Sequence, residues 1–261
     1  MPISELYDVL GGTSVGSLIT SLLSIPGDGK PKYTAEDLLD ILPVLIAKSL
    51  EPSWKQKILS GYGLFSAMVN NQKFIHLLQS TYGNIPFSKA LNHLVLYGYN
   101  YSTTSLTAFH NRGANSNLAN PLLYQLIGGT TAYFGIIPPN KILLNPSHAP
   151  EFIGDAGIVV TNPVECTLFD LVKLYPGKKF LITYIVIDPK KIPEKINFPF
   201  YSGAIGAVGI KDPLIRTAEN QLIREFMGSI AGVYRLDLLS ELGIDQNMDW
   251  INLYSFDFSD Q

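Results

Sequence analysis

Residues 12–16 read Gly-Thr-Ser-Val-Gly, and this G-x-S-x-G pattern constrains the fold more than any other stretch of the chain. A serine with glycine two before and two after suits a strand that turns sharply into a helix. Small residues there let strand and helix approach closely, and the serine hydroxyl projects out of the sheet edge. The flanks agree. An apolar run over 6–10, ending in Gly11 and Gly12, reads as a strand and a sharp turn. Val15, Leu18, Ile19, Leu22 and Leu23 then recur at the spacing of one helix face. With 22 glycines in the chain, a Gly-rich turn with no function is the alternative. The strand before and the amphipathic helix after favour the elbow. A helix N-terminus behind Ser14 would also favour the negative charge that develops in acyl transfer.

Further along, Thr34 with Glu36 and Asp37 reads as an N-cap and an acidic first turn. Leu38, Leu39, Leu42, Leu45 and Ile46 mark a second helix, with Pro43 an oddity near its middle. Phe74, Leu77 and Leu78 suggest a buried helix face. Strands are expected over 94–101 and 105–109, and a helix over 118–131. Pro138-Pro139 forces a loop, with short extended pieces at 142–144 and 157–160. Pro163 opens a helix running to Leu174, where its missing N–H costs nothing. Residues 180–187, FLITYIVI, are apolar on both faces, as in a central parallel strand. The Pro- and Gly-rich stretch 189–211 is a long loop. Asp212-Pro213 starts a helix carrying Leu214, Ala218, Leu222 and Phe226, and 232–258 reads as two short strands. Strands alternating with helices give an α/β fold with a mostly parallel sheet, in a single domain over 1–261.

Composition excludes several classes. Hydrophobic residues make up 46% and charged residues 16%, so disorder and charge-driven partners are disfavoured. A net charge of −3 without a basic block leaves nucleic acid no electrostatic footprint. The single Cys166 excludes an intrachain disulfide framework. It reads as a buried packing residue, as do Trp54 and Trp250. No signal peptide or membrane-spanning run is visible. A cytoplasmic protein, or one at a membrane surface, is the expectation, with secretion by another route left open.

Ser14 needs a base. The histidines His76, His93, His110 and His148 stand in no catalytic or metal-ligand motif. Asp155, in Gly154-Asp155-Ala156-Gly157, is the candidate: a carboxylate against a serine hydroxyl accepts its proton directly. Gly157 would let the backbone turn tightly behind it. Alone, Asp155 reads better as a turn aspartate. Gly203, Gly206 and Gly209 match no dinucleotide fingerprint and read as flexible loop.

The two motifs together resemble the patatin-like phospholipases, lipid acyl hydrolases that pair an early G-x-S-x-G with a late D-G-G or D-G-A and use a Ser–Asp dyad. The matching pieces are GGTSVG at 11–16, GGTTAYFGIIPP at 128–139 and DAGIVVTNP at 155–163. The resemblance covers roughly residues 5–190. It implies a three-layer α/β/α fold with Ser14 as nucleophile and Asp155 as base. Lipid or phospholipid is the implied substrate, and no metal or organic cofactor is needed. Ala156 stands where the family usually has glycine.

A second departure matters more. The family carries a glycine-rich D-G-G-G-x-R-G segment ahead of the serine, whose amides form the oxyanion hole. Here the residues before Gly11 contain no glycine, so the expectation is of a chain starting one strand late. Val15 N–H supplies one donor within the elbow of Gly12, Val15 and Gly16, and the second is unaccounted for. One missing donor costs about 10²–10³ in rate. The rival expectation is therefore a catalytically impaired patatin-like module that binds lipid or a protein; a water-soluble esterase of the same fold is a third. Phe198, Phe200 and Tyr201, in a Pro-containing loop, would either enter a bilayer interface or cover the core.

Overall fold

The computed structural model describes residues 1–50, 69, 71–113, 119–133, 136–160, 163–186 and 232–237. The loop 189–211 with its aromatics and glycines, the helix expected behind Asp212-Pro213, Trp54 and Trp250 lie outside the described residues. The chain divides into two compact units, Met1–Gly157 and Ile158–Gln261.

The first unit opens with helix α1 (Ile3–Leu6), strand β1 (Val9–Thr13) and helix α2 (Val15–Leu23). The strand runs through both glycines that the sequence suggests as the turn. The chain turns two residues after Gly12, at Ser14, where φ is 55° and ψ is −127°. Helix α3 (Ala35–Leu50) starts on a reciprocal cap. The Thr34 hydroxyl accepts from Asp37 N–H at 3.2 Å, and Asp37 Oδ2 accepts from Thr34 N–H at 2.7 Å. The Thr34 N–H, and then the Thr34 hydroxyl donating to the same oxygen at 3.0 Å, hold the exposed Asp37 carboxyl below the usual range. Leu38, Leu42 and Leu45 are buried, whereas Leu39 is exposed. The exposed Pro43 lies inside this helix. It removes the N–H that would meet the Leu39 carbonyl, which water can satisfy on that face.

Helix α4 (Asn71–Tyr82) follows, then β2 (His93–Asn100), β3 (Ser105–His110), α5 (Leu123–Thr130), β4 (Asn140–Ile142) and β5 (Glu151–Asp155). Phe74 and Leu78 of α4 are buried as expected. Extended structure expected at 157–160 is instead a 3₁₀ turn at Ala156–Ile158. The strand stands earlier, at β5, where no long apolar run announces it.

Strand β2 organises the sheet. It pairs parallel with β1 and antiparallel with β3 and β5, and β4 pairs antiparallel with β5. The β2–β3 connection is a short hairpin, which compels antiparallel pairing, while the crossover from β1 to β2 contains helices and permits the parallel pair. The α/β class holds, and the sheet of this unit is mixed. Helices α2 and α5 pack on the face carrying Gly12 and Ile153. On α5, a Cβ at Gly129 would come within 3.0 Å of Ile142 and Ile153 side-chain atoms, so glycine sets that close approach. Leu18, Leu22, Leu94, Leu96, Leu126, Ile127 and Ile153 form the core between them.

The second unit contains α6 (Val164–Leu174), entered from Pro163, and β6 (Leu181–Val186) paired parallel with β7 (Gly232–Asp237). Leu168 is buried against Val164, Phe180 and Ile182. Cys166 is half-buried. Strand β6, expected to be central, pairs among the described residues with β7 and exposes Leu181 and Ile185.

Two of the four histidines are core residues. His93 Nε2 and His110 Nδ1 lie 3.2 Å apart, joining the start of β2 to the end of β3. Burial, with His110 and Arg112 nearby, pushes His93 down to about 4. The folded chain therefore keeps His93 neutral where an unfolded one takes up a proton. Its contribution to stability is complete above pH 6.5 and drains away as the pH falls toward 4. Urea unfolding should show a loss on the order of 2 kcal/mol across that window, and His93→Gln should flatten the slope. Equal slopes in the two proteins would contradict the assignment.

Candidate active site

A strand has two hydrogen-bonding edges. On β2, β3 occupies one edge from Val95 to Asn100. Strand β1 pairs with His93–Tyr97 and β5 with Gly98–Asn100, so these two follow one another along the other edge. They meet end to end. Thr13, the last residue of β1, pairs with Tyr97, and Asp155, the last residue of β5, pairs with Gly98. Adjacent residues of one strand thus bring together two chain segments 141 residues apart.

Ser14 Oγ donates to Asp155 Oδ2 at 2.5 Å. Ser14 is half-exposed, and Asp155 is 1% exposed. The other carboxylate oxygen accepts from Gly157 N–H at 2.7 Å. The Asp155 backbone N–H donates to the Ala132 carbonyl at 3.0 Å, which ties β5 to the residues after α5. One oxygen is thus held by the turn and the other faces the serine. Gly157 contributes its N–H, and a Cβ there would lie 3.1 Å from Asp155 Oδ1. Ala156 is fully buried. Tyr101, in contact with Gly154, keeps its phenolic proton to higher pH than usual, through burial and then the Asp155 charge.

The positive φ at Ser14 costs on the order of 1–3 kcal/mol for a residue with a Cβ. The elbow is held by its surroundings. The Ser14 carbonyl accepts from Ser17 N–H at 2.9 Å and Leu18 N–H at 3.3 Å. The buried Ser17 hydroxyl donates to the Gly12 carbonyl at 2.9 Å, bridging helix and strand. A Cβ on residue 12 would lie 2.3 Å from the Gly16 carbonyl carbon and 2.6 Å from Ser17 N. A Cβ on Gly16 would meet nothing within 4 Å. The close approach read from both glycines therefore falls on Gly12, and Gly16 borders open space. Val15 is the first residue of α2, and such N–H groups have no intrahelical acceptor. A helix N-terminus favours negative charge beside it.

The sequence reading did not single out Tyr101, Ala132 or Ser17. The last two act through a backbone carbonyl and a strand-to-helix bridge, which carry no motif. Tyr101 lies in the alternating Tyr97, Tyr99, Tyr101, a pattern that does place three side chains on one face. Among the described residues no group of three or more His, Cys, Asp or Glu side chains could hold a metal ion. No described helix is long and apolar enough to cross a membrane.

Gly12→Ala should destabilise the fold by about 2 kcal/mol or more, since backbone has to move. Gly16→Ala should match or exceed the parent, because alanine favours helix by up to about 1 kcal/mol. Thermal melts of the two variants check this contrast, and equal losses would refute it.

No family model matches the chain. Curated relatives do. "Patatin-like protein 4" of Arabidopsis thaliana is 26% identical over 166 residues, covering 62% of this chain and 41% of that protein. "Patatin-like protein 2" of Oryza sativa subsp. indica is 25% identical over 197 residues, 72% of this chain and 46% of its own length. "Probable inactive patatin-3-Kuras 1" of Solanum tuberosum is 23% identical over 172 residues, 62% of this chain and 42% of that protein. The chain spans less than half the length of these relatives. Together these likenesses support a patatin-like family for it.

Proposed function

We propose that the protein is a lipid acyl hydrolase that works through Ser14 and Asp155. The observation that carries the reading is the 2.5 Å bond between their side chains, made at a strained elbow. Ser14 Oγ attacks the ester carbonyl carbon as its proton passes to Asp155. The tetrahedral intermediate collapses, the C–O bond to the leaving alcohol breaks, and that alcohol takes the proton from Asp155. Water then gives a proton to Asp155 and attacks the acyl-Ser14 ester. Collapse releases the carboxylic acid and returns the proton to Ser14. Val15 N–H is one donor to the oxyanion in both halves. The substrate class, a phospholipid or related acyl ester, follows from the likeness to patatins.

A second reading keeps the dyad without turnover, in a module that binds lipid or a protein. It is supported by the single oxyanion donor within the elbow, and by a relative whose name calls that relative probably inactive.

A fluorophosphonate probe separates the two. The hydrolase reading expects labelling of the folded protein, abolished by Ser14→Ala. Asp155→Asn keeps the shape but cannot take the proton, and should lower labelling and ester hydrolysis by at least about 10²-fold. A folded parent that neither labels nor hydrolyses esters would favour the second reading.

A further inference from the structure

Among the described residues, the sheet face away from α2 and α5 carries an exposed aromatic patch. Residues directly opposite in neighbouring strands share a face. Tyr99 pairs with Leu106 of β3 and with Gly154 of β5, and Phe152 pairs with Lys141 of β4. Tyr101 continues this row. Its ring lies against Gly154, so close that a Cβ there would come within 2.5 Å, and it meets Tyr99 edge-on with centroids 5.0 Å apart. Its N–H donates to the Phe152 carbonyl at 2.8 Å. The patch is therefore continuous across four strands. Phe152 is 47% exposed, Leu106 37%, and both tyrosines are half-exposed.

The chemistry of the patch narrows its occupant. Tyrosine rings combine an apolar body with a polar tip, which suits a boundary between hydrocarbon and water. The exposed Lys141 holds its ammonium 5.7 Å from the Phe152 ring centre, at the rim of the patch, where it complements a phosphate. Glu151, its nearest acidic neighbour in sequence on β5, is engaged by Asn100 on the opposite face. Aromatic surface rimmed by a cation, with no acid on the same face of the paired strands β4 and β5, fits a phospholipid headgroup region.

We infer that Leu106, Tyr99, Tyr101, Phe152 and Lys141 form a docking surface for a phospholipid membrane, on the sheet whose strand ends carry Ser14 and Asp155. This rests on the hydrolase reading for its purpose, but not for its test. Gly154, beneath Tyr101, directly precedes Asp155 in the chain; the Asp155 side chain lies on the other face, so the patch borders the end of β5 that carries the base.

Vesicle co-sedimentation of the full chain tests it, with phosphatidylcholine vesicles and with vesicles of three parts phosphatidylcholine to one part phosphatidylglycerol. The parent should bind both, and the anionic vesicles more tightly. Phe152→Glu and, on a separate strand, Leu106→Glu should each weaken binding by about tenfold or more, the loss expected for removing one apolar side chain from an interface. Lys141→Gln should abolish the preference for the anionic vesicles. Leu39→Glu, at a still more exposed leucine on α3, should bind as the parent does. Melting curves confirm that each variant folds. The inference is overturned if the folded parent binds neither vesicle, if both patch variants bind like the parent, or if Leu39→Glu weakens binding as much as they do. Self-association of the parent abolished by Phe152→Glu, without vesicle binding, would assign the face to a protein contact instead. Hydrolysis of a short soluble ester is read in parallel: turnover without vesicle binding removes the docking surface alone, and vesicle binding without turnover or Ser14 labelling removes the hydrolase reading alone.

Discussion

One edge of β2 carries two strands in succession, and the rest of the first unit follows from that arrangement. Strands β1 and β5 approach from opposite directions and stop at Tyr97 and Gly98. A strand edge offers one run of hydrogen-bonding groups, so neither can advance without displacing the other. Their ends are forced together, and each carries one reacting side chain. Hydrogen bonds of about 1 kcal/mol each, repeated along the ladder, hold the alignment more firmly than any contact between Ser14 and Asp155 could. The 2.5 Å bond between them is a consequence of that frame.

The frame also explains how a strained serine persists. A Cβ-bearing residue at φ 55° is unfavourable alone. Around it, the Ser14 carbonyl is bound by two amides of α2, and Ser17 ties the helix back to Gly12. The helix can come that close because residue 12 has no side chain; even a methyl group would collide with backbone. The strain puts the hydroxyl at the corner, where it is half-exposed on one side and met by a buried carboxylate on the other.

The two faces of the sheet have different work. The face under α2 and α5 holds the aliphatic core and the dyad carboxylate, with glycine at 129 admitting α5 close to Ile142 and Ile153. The opposite face carries the alternating tyrosines and the His93–His110 pair. Neutral, hydrogen-bonded imidazoles are compatible with burial; a charge there is not, which links the stability of the β2–β3 pair to pH.

Local chemistry was legible in the chain alone. The G-x-S-x-G corner, the helix from Val15 to Leu23, the Thr34–Asp37 cap and the strands at β2 and β3 depend on residues close in sequence, so periodicity and turn chemistry report them. Ser14 and Asp155 could be named as partners through a resemblance, because each sits in a short motif. The strand Glu151–Asp155, the antiparallel pairings and the exposure of β6 were not legible. Each is decided by which edge a distant strand takes. β5 has five residues, a glycine among them, and little periodicity of its own; β2 makes it a strand. The sequence by itself determined that a serine stands at a strand-to-helix corner, since only local sterics are needed for that. Only the tertiary structure decided that Asp155 faces it, because that depends on pairing register across 141 residues.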